Sequence, residues 1–145
     1  MKKYVFLEDV ALADIAYEAY GKNLGEMFRN AAKAIFELSA DVKTISAKKK
    51  LQVKMKNKSI ERLLYDFLSE ILFLKDSQYV VFMDLKVKIN ENKKNKDFEL
   101  SAVLSGDTIN SEKQHLENDI KAITMHMFEV KKEKSFWKAR VVVDL

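Results

Sequence analysis

The sequence predicts an α+β fold, a single domain over residues 1–145 with largely antiparallel β-sheets and two helices packed on them. Three observations predict it. Apolar and polar residues alternate in several short stretches, as they do in strands with one wet face. Only two stretches carry apolar residues at helical spacing, so strands outnumber helices. The chain has no proline, three glycines, no low-complexity linker and no internal repeat, so nothing in it marks a boundary.

Taken in order, residues 3–7 and 12–20 read as strands. In the second, Ala13, Ile15, Tyr17 and Ala19 alternate with Asp14, Ala16, Glu18 and Tyr20. The stretch "GKN" breaks that strand, and Asn23 with Glu26 three residues on forms a capping-box-like start to a helix. Leu24, Met27, Phe28, Ala31, Ala32, Ile35 and Leu38 then recur at helical spacing over about four turns, ending near Ser39. Leu51, Val53 and Met55 alternate with Gln52, Lys54 and Lys56 in a further strand. Ser59 can cap a second helix whose stripe runs from Ile60 through Leu63, Leu64, Phe67, Leu68 and Ile71 to Leu72. "SQYVVFMDLKVKIN" and "FELSAVLSG" are strand-like and joined by a lysine-rich loop. "DIKAITMHMFEV", the turn "KKEKS" and "FWKARVVVDL" form a terminal hairpin.

Composition narrows the function. The chain is 48% hydrophobic and 33% charged, the balance of an ordinary globular protein. No apolar run approaches the roughly 20 residues that span a bilayer. Glu8 and Asp9 interrupt the hydrophobic region that a signal peptide needs, so the cytoplasm is the expected location. Without cysteine there is no disulfide, no thiolate catalysis and no thiolate zinc site. None of the glycines stands in a phosphate-binding loop, and no serine sits in a GxSxG elbow. His126 alternates with Thr124 and Phe128 along a strand and reads as structural.

The net charge of +4 is unevenly spread. "VKTISAKKKLQVKMKNK", from Val42 to Lys58, holds seven lysines and no acid, and "KVKINENKKNKD" holds five more against Glu91 and Asp97. Such runs are either solvated surface or a phosphate-facing one, which would bind a polynucleotide through counterion release. Neither run contains the aromatic residues that stack bases.

Two carboxylates stand out because they lie on apolar stretches. Asp14 sits between Ala13 and Ile15, and Asp144 follows Val141, Val142 and Val143. In the last strand Trp137, Ala139, Val141 and Val143 share a buried face, while Lys138, Arg140, Val142 and Asp144 share the other. The α-carboxylate of Leu145 adds a further negative group. Gathering these three charges is costly unless a cation compensates, and a hard divalent cation takes oxygen ligands. The plainer alternative leaves Asp14 at a turn or edge and lets the C-terminus fray.

"ADIAYEAYGKNLGEMFRNAAKAIFEL" strongly resembles the opening of the archease family, an Asp-led strand, Ala-Tyr-Gly and a helix. "LLYDFLSEILFLKDSQYVVF" resembles that family's central helix and the strand after it. "HLENDIKAITMHMFEV" and "WKARVVVDL" resemble its last two strands. The match covers nearly the whole chain in the right order.

The resemblance implies a non-enzymatic accessory protein with no catalytic residue of its own. It would assist the 3′-phosphate RNA ligase of tRNA splicing, promoting guanylylation and multiple turnover, with tRNA contact at most indirect or weak. It further implies a divalent-cation site, typically Ca²⁺, formed by Asp14, Asp144 and the terminal carboxylate of Leu145. Oxygen-only sites also accept Mg²⁺ and Mn²⁺. Lys121, in the motif "KAITMH", is implied as a further functional residue. Two departures from the family pattern stand. Ala11, Leu12 and Ala13 precede Asp14 where archeases commonly read His-Thr-Ala, in a segment one residue longer, and Met125 replaces an aromatic residue as an adaptable space-filler. The rival readings are a stand-alone RNA-binding module using the lysine-rich surface and a small general chaperone. A metal-dependent hydrolase would have only Glu18 as its base.

Overall fold

The computed structural model describes residues 2–7 and 14–145. The expected strand start at residues 12 and 13, and the departure over Ala11 to Ala13, lie outside the described residues. The elements run β1 (Tyr4–Leu7), β2 (Asp14–Gly21), α1 (Leu24–Ser39), a 3₁₀ turn (Val42–Thr44), β3 (Lys49–Asn57) and α2 (Ile60–Gln78). They continue with β4 (Val80–Asn92), β5 (Asp97–Thr108), β6 (Ala122–Lys132) and β7 (Trp137–Asp144).

The strands form two antiparallel sheets, one of four strands ordered β1-β2-β7-β6 and one of three ordered β3-β5-β4. Each helix packs on both sheets. One hydrophobic cluster joins them, with Tyr17 and Val141 from the larger sheet, Val53 and Leu104 from the smaller, and Phe28 and Phe67 from the helices. The Phe28 and Phe67 rings stack with centroids 6.2 Å apart where α1 meets α2. The α+β architecture is the expected one.

Both helix starts follow from their caps. Asn23 Oδ1 accepts the Glu26 main-chain N–H at 2.9 Å, and Ser59 Oγ accepts that of Arg62 at 3.1 Å. The capping box closes one residue early, since the Glu26 side chain accepts from the Lys22 N–H at 3.2 Å. The β2–α1 turn is so tight that a Cβ on Gly21 would overlap the main-chain nitrogen of Met27. From α1, the buried Asn30 amide donates to the Tyr20 carbonyl at 2.7 Å, and the Tyr17 hydroxyl donates to the Ala31 carbonyl at 2.9 Å. The strand and helix are thereby locked together.

Three boundaries differ from the sequence reading. Ser77 and Gln78 complete α2 instead of opening β4. Tyr79 then reverses the chain in the left-handed region (φ 54°), its N–H closing the helix on the Lys75 carbonyl. Asp119, Ile120 and Lys121 precede β6 instead of belonging to it. The strand expected around Leu51 to Lys56 runs from Lys49 to Asn57 as the edge strand β3, taking in much of the lysine-rich run.

Candidate functional site

The site is positioned by β7. Ala139, Val141 and Val143 are fully buried, and a slip of one residue would turn them outward, so the register is fixed by burial. With that register Asp144 lies directly opposite Asp14 of β2, and on its other side Asp144 pairs with Ala122 of β6. The N–H of Lys121 donates to the Asp144 carbonyl at 2.8 Å. Leu145 packs its side chain against the hydrophobic core, anchoring the main chain beyond Asp144. Thus the structure brings Asp14, Asp144 and the main chain of Lys121 together, with Leu145 adjoining.

Both aspartates are half-buried. Side chains directly opposite in an antiparallel pair stand about 4.5–5.5 Å apart at Cβ, and like charges there repel. Along the same face the next pair, Ala16 and Val142, is buried, and the pair after it, Glu18 and Arg140, is matched in charge. Glu18 also lies 3.7 Å from the Lys138 ammonium and accepts from the Tyr20 hydroxyl at 3.1 Å. Burial first, and Glu18 second, push the Tyr20 hydroxyl pKa up. Glu18 is therefore a half-buried member of a structural network rather than a solvent-facing glutamate. Glu129 is likewise paired, with Arg140 at 2.8 Å. Among the described residues, Asp14 and Asp144 make no such ion pair.

Asp14 and Asp144 are the facing side-chain carboxylates here among the described residues. Among the described residues no group of three or more His, Cys, Asp or Glu side chains is placed to hold a metal. The sequence reading takes a third oxygen from the carboxyl group of Leu145, which adjoins Asp144. The Lys121 side chain is exposed, and its charge is felt at Asp119. The Asp119 carboxyl is held below its ordinary pKa first by the hydrogen bond from Lys75, at 2.8 Å, and to a smaller degree by Lys121.

The sequence reading missed the element beside this site. Between the Thr124–Val142 and Glu129–Arg140 pairs, the four residues Met125 to Phe128 stand opposite Val141 alone. The excursion is held by Arg140, whose Nε donates to the Met127 carbonyl at 2.9 Å, and Met127 adopts φ 56°. His126 consequently does not alternate with Thr124 and Phe128 but lies exposed on the bulge. Met125 is 52% exposed and fills no interior space, contrary to expectation. A glycine at the left-handed position would have signalled the bulge; methionine does not.

No helix among the described residues is long and apolar enough to cross a membrane. Comparison with known proteins gives a consistent result. The archease protein family matches residues 4–145. Protein archease of Methanothermobacter thermautotrophicus is 37% identical over 145 residues, covering 100% of both chains. That of Methanosarcina barkeri is 36% identical over 144 residues, covering 99% of this chain and 97% of its own. The solution structure of Methanobacterium thermoautotrophicum protein 1598 superposes with TM-score 0.83 at 34% identity over 100% of both chains. A Thermotoga maritima archease crystal structure, described as a possible chaperone, shares the fold with TM-score 0.62 at 19% identity, covering 92% of this chain and 91% of its own.

Proposed function

The chain belongs to the archease family, and from that premise we propose that it is a non-enzymatic accessory protein of the 3′-phosphate RNA ligase in tRNA splicing. In this reading it works in the cytoplasm and promotes the ligase's guanylylation and multiple turnover. The observation that carries the reading is the pairing of Asp14 with Asp144 in register. Two half-buried carboxylates held face to face, with no cationic side chain paired to either among the described residues, suit a hard divalent cation. Asp14, Asp144 and the carboxyl group of Leu145 would hold Ca²⁺, and Mg²⁺ or Mn²⁺ could use the same oxygens.

A bound cation supplies positive charge that offsets the two aspartates and can be shared with a partner. Calcium prefers roughly six to eight oxygens, so this donor set leaves positions for water or for a carboxylate or phosphate of the ligase. The protein's own residues do the orienting. The Lys121 N–H holds the Asp144 main chain, and its side chain adds an exposed cation beside the site. Activation then requires tighter binding to the competent ligase conformation than to the other, because equal affinity shifts no population.

The test is turnover of the cognate ligase on excess RNA ends with substoichiometric accessory protein. Wild type is expected to restore multiple turnover. Asp144→Ala and a variant extended past Leu145 should each lose at least about tenfold, the scale of a lost metal ligand or its support. Full activation by Asp144→Ala would remove the cation site from the mechanism.

A further inference from the structure

We propose that the outer face of the three-stranded sheet is a docking surface for the sugar–phosphate backbone of a single-stranded polynucleotide. The inner face of this sheet belongs to the core through Val53, Leu104 and Leu85. Strand alternation therefore sends Lys50, Lys54 and Lys56 of β3 and Lys86 and Lys88 of β4 to the opposite face, where all five are exposed. The central strand β5 lies between them with Ser101, Val103 and Ser105 on that face.

The register is informative. Lys54 and Lys88 both pair with Ser101, from opposite sides, so two lysine rows flank a low floor. The rows are two strand spacings apart, about 10 Å. At one end a shallow depression of about 440 Å³ is lined by Lys54, Lys56, Asn90, Glu99 and Ser101. None of the five lysines makes an ion pair among the described residues.

Charge selects the occupant. Alternation along β5 puts Asp97, Glu99 and Asp107 on this face together with Asp84 of β4, of which Asp97 is buried and Asp84 is engaged by Arg29 at 2.9 Å and Lys33 at 3.6 Å from α1. With Asp84 engaged, five lysines against Asp97, Glu99 and Asp107 leave an excess of two positive charges on this face. The β4–β5 turn continues it with exposed Lys93, Lys94 and Lys96.

Protection of sheet edges does not account for this. Charges do discourage edge pairing, yet the edge strand β1 carries none, and the edge strand β6 mixes Glu129 with Lys131 and Lys132. On the β3–β5–β4 face the five lysines stand in two rows free of ion pairs among the described residues, which edge protection does not require. With no aromatic side chain on it, the face would grip phosphates without reading bases. This surface uses none of Asp14, Asp144 and Leu145.

The test is fluorescence anisotropy of labelled 12-nucleotide RNA and DNA strands titrated with the full chain between 50 and 200 mM salt. About three neutralised phosphates would give a log–log salt slope near −2, at roughly −0.7 per phosphate for single strands. Lys54→Glu with Lys88→Glu is expected to weaken binding at least about tenfold and to flatten the slope by about 1.4. Lys2→Glu with Lys113→Glu, the same change in net charge at exposed positions elsewhere, should change affinity less than about threefold. Asp144→Ala should bind as wild type does, which separates this surface from the cation site. Circular dichroism melts confirm that each variant is folded. The proposal is overturned by no saturable binding at 50 mM salt, by equal weakening in both double variants, by a preference above tenfold for RNA over DNA, or by equal capture of polyglutamate.

Discussion

A carboxylate that faces another across a strand pair lowers stability unless positive charge lies between them, and Asp14 with Asp144 is such a pair. If the pair holds a cation as proposed, removing one charge is expected to affect fold and function in opposite directions. In chelator, Asp144→Asn is expected to stabilise the fold by about 0.2–1 kcal/mol, a rise of about 1–4 °C in the melting midpoint. With Ca²⁺ at a hundredfold excess over its dissociation constant, wild type should gain about 2.7 kcal/mol and the variant little. Calorimetric melts with and without Ca²⁺ decide it, and a wild-type midpoint unmoved by the cation would count against the site. Much of this was legible at the residue scale. Val141 and Val143 alternate with Val142 and Asp144, which put Asp144 one step off the buried face. What alternation could not supply was the partner strand's register, because pairing between β2 and β7 is a long-range event with no local signal.

At the scale of elements, the helices were readable and their ends less so. α1 and α2 combine a wide apolar stripe with a polar N-cap, two signals that agree. The end of α2 carries no glycine or proline, and Tyr79 takes the left-handed position that glycine usually fills. Its side chain is 61% exposed, so little packing is lost by removing it. Tyr79→Gly is expected to stabilise the protein by about 0.5–1 kcal/mol, the left-handed strain relieved less the extra freedom of glycine when unfolded. A higher urea midpoint with an unchanged m-value checks it. A lower midpoint would mean that the tyrosine ring contributes more than the strain it imposes. The β6 bulge was hidden for the same reason, since Met127 at φ 56° sits inside a run that reads as unbroken alternation. The division into two sheets was equally hidden. It depends on which strands pair, and β3 pairs with β5 across the whole of α2 and β4.

At the scale of the whole molecule, the two sheets share one hydrophobic cluster and each helix touches both. Neither sheet has a core to itself, so the chain should unfold as one unit. Trp137, the single tryptophan, lies in β7 of the larger sheet, while far-UV dichroism at the helix band follows α1 and α2. The two signals are expected to give the same urea midpoint; midpoints that differ by more than their error would divide the molecule into separately folding parts. The ladder that joins β2 to β7 also has a consequence for the chain as it is made. Asp14 must wait for a partner encoded 130 positions later, which is about 6–26 s at ordinary rates of synthesis. Until then β2 has only β1 beside it, and its other edge lies open on the ribosome. The acidic pair therefore forms only when synthesis has reached the last strand, and a prematurely stopped chain lacks it altogether. Whatever recognises that pair would distinguish chains that carry both strands from shorter fragments without any separate inspection step.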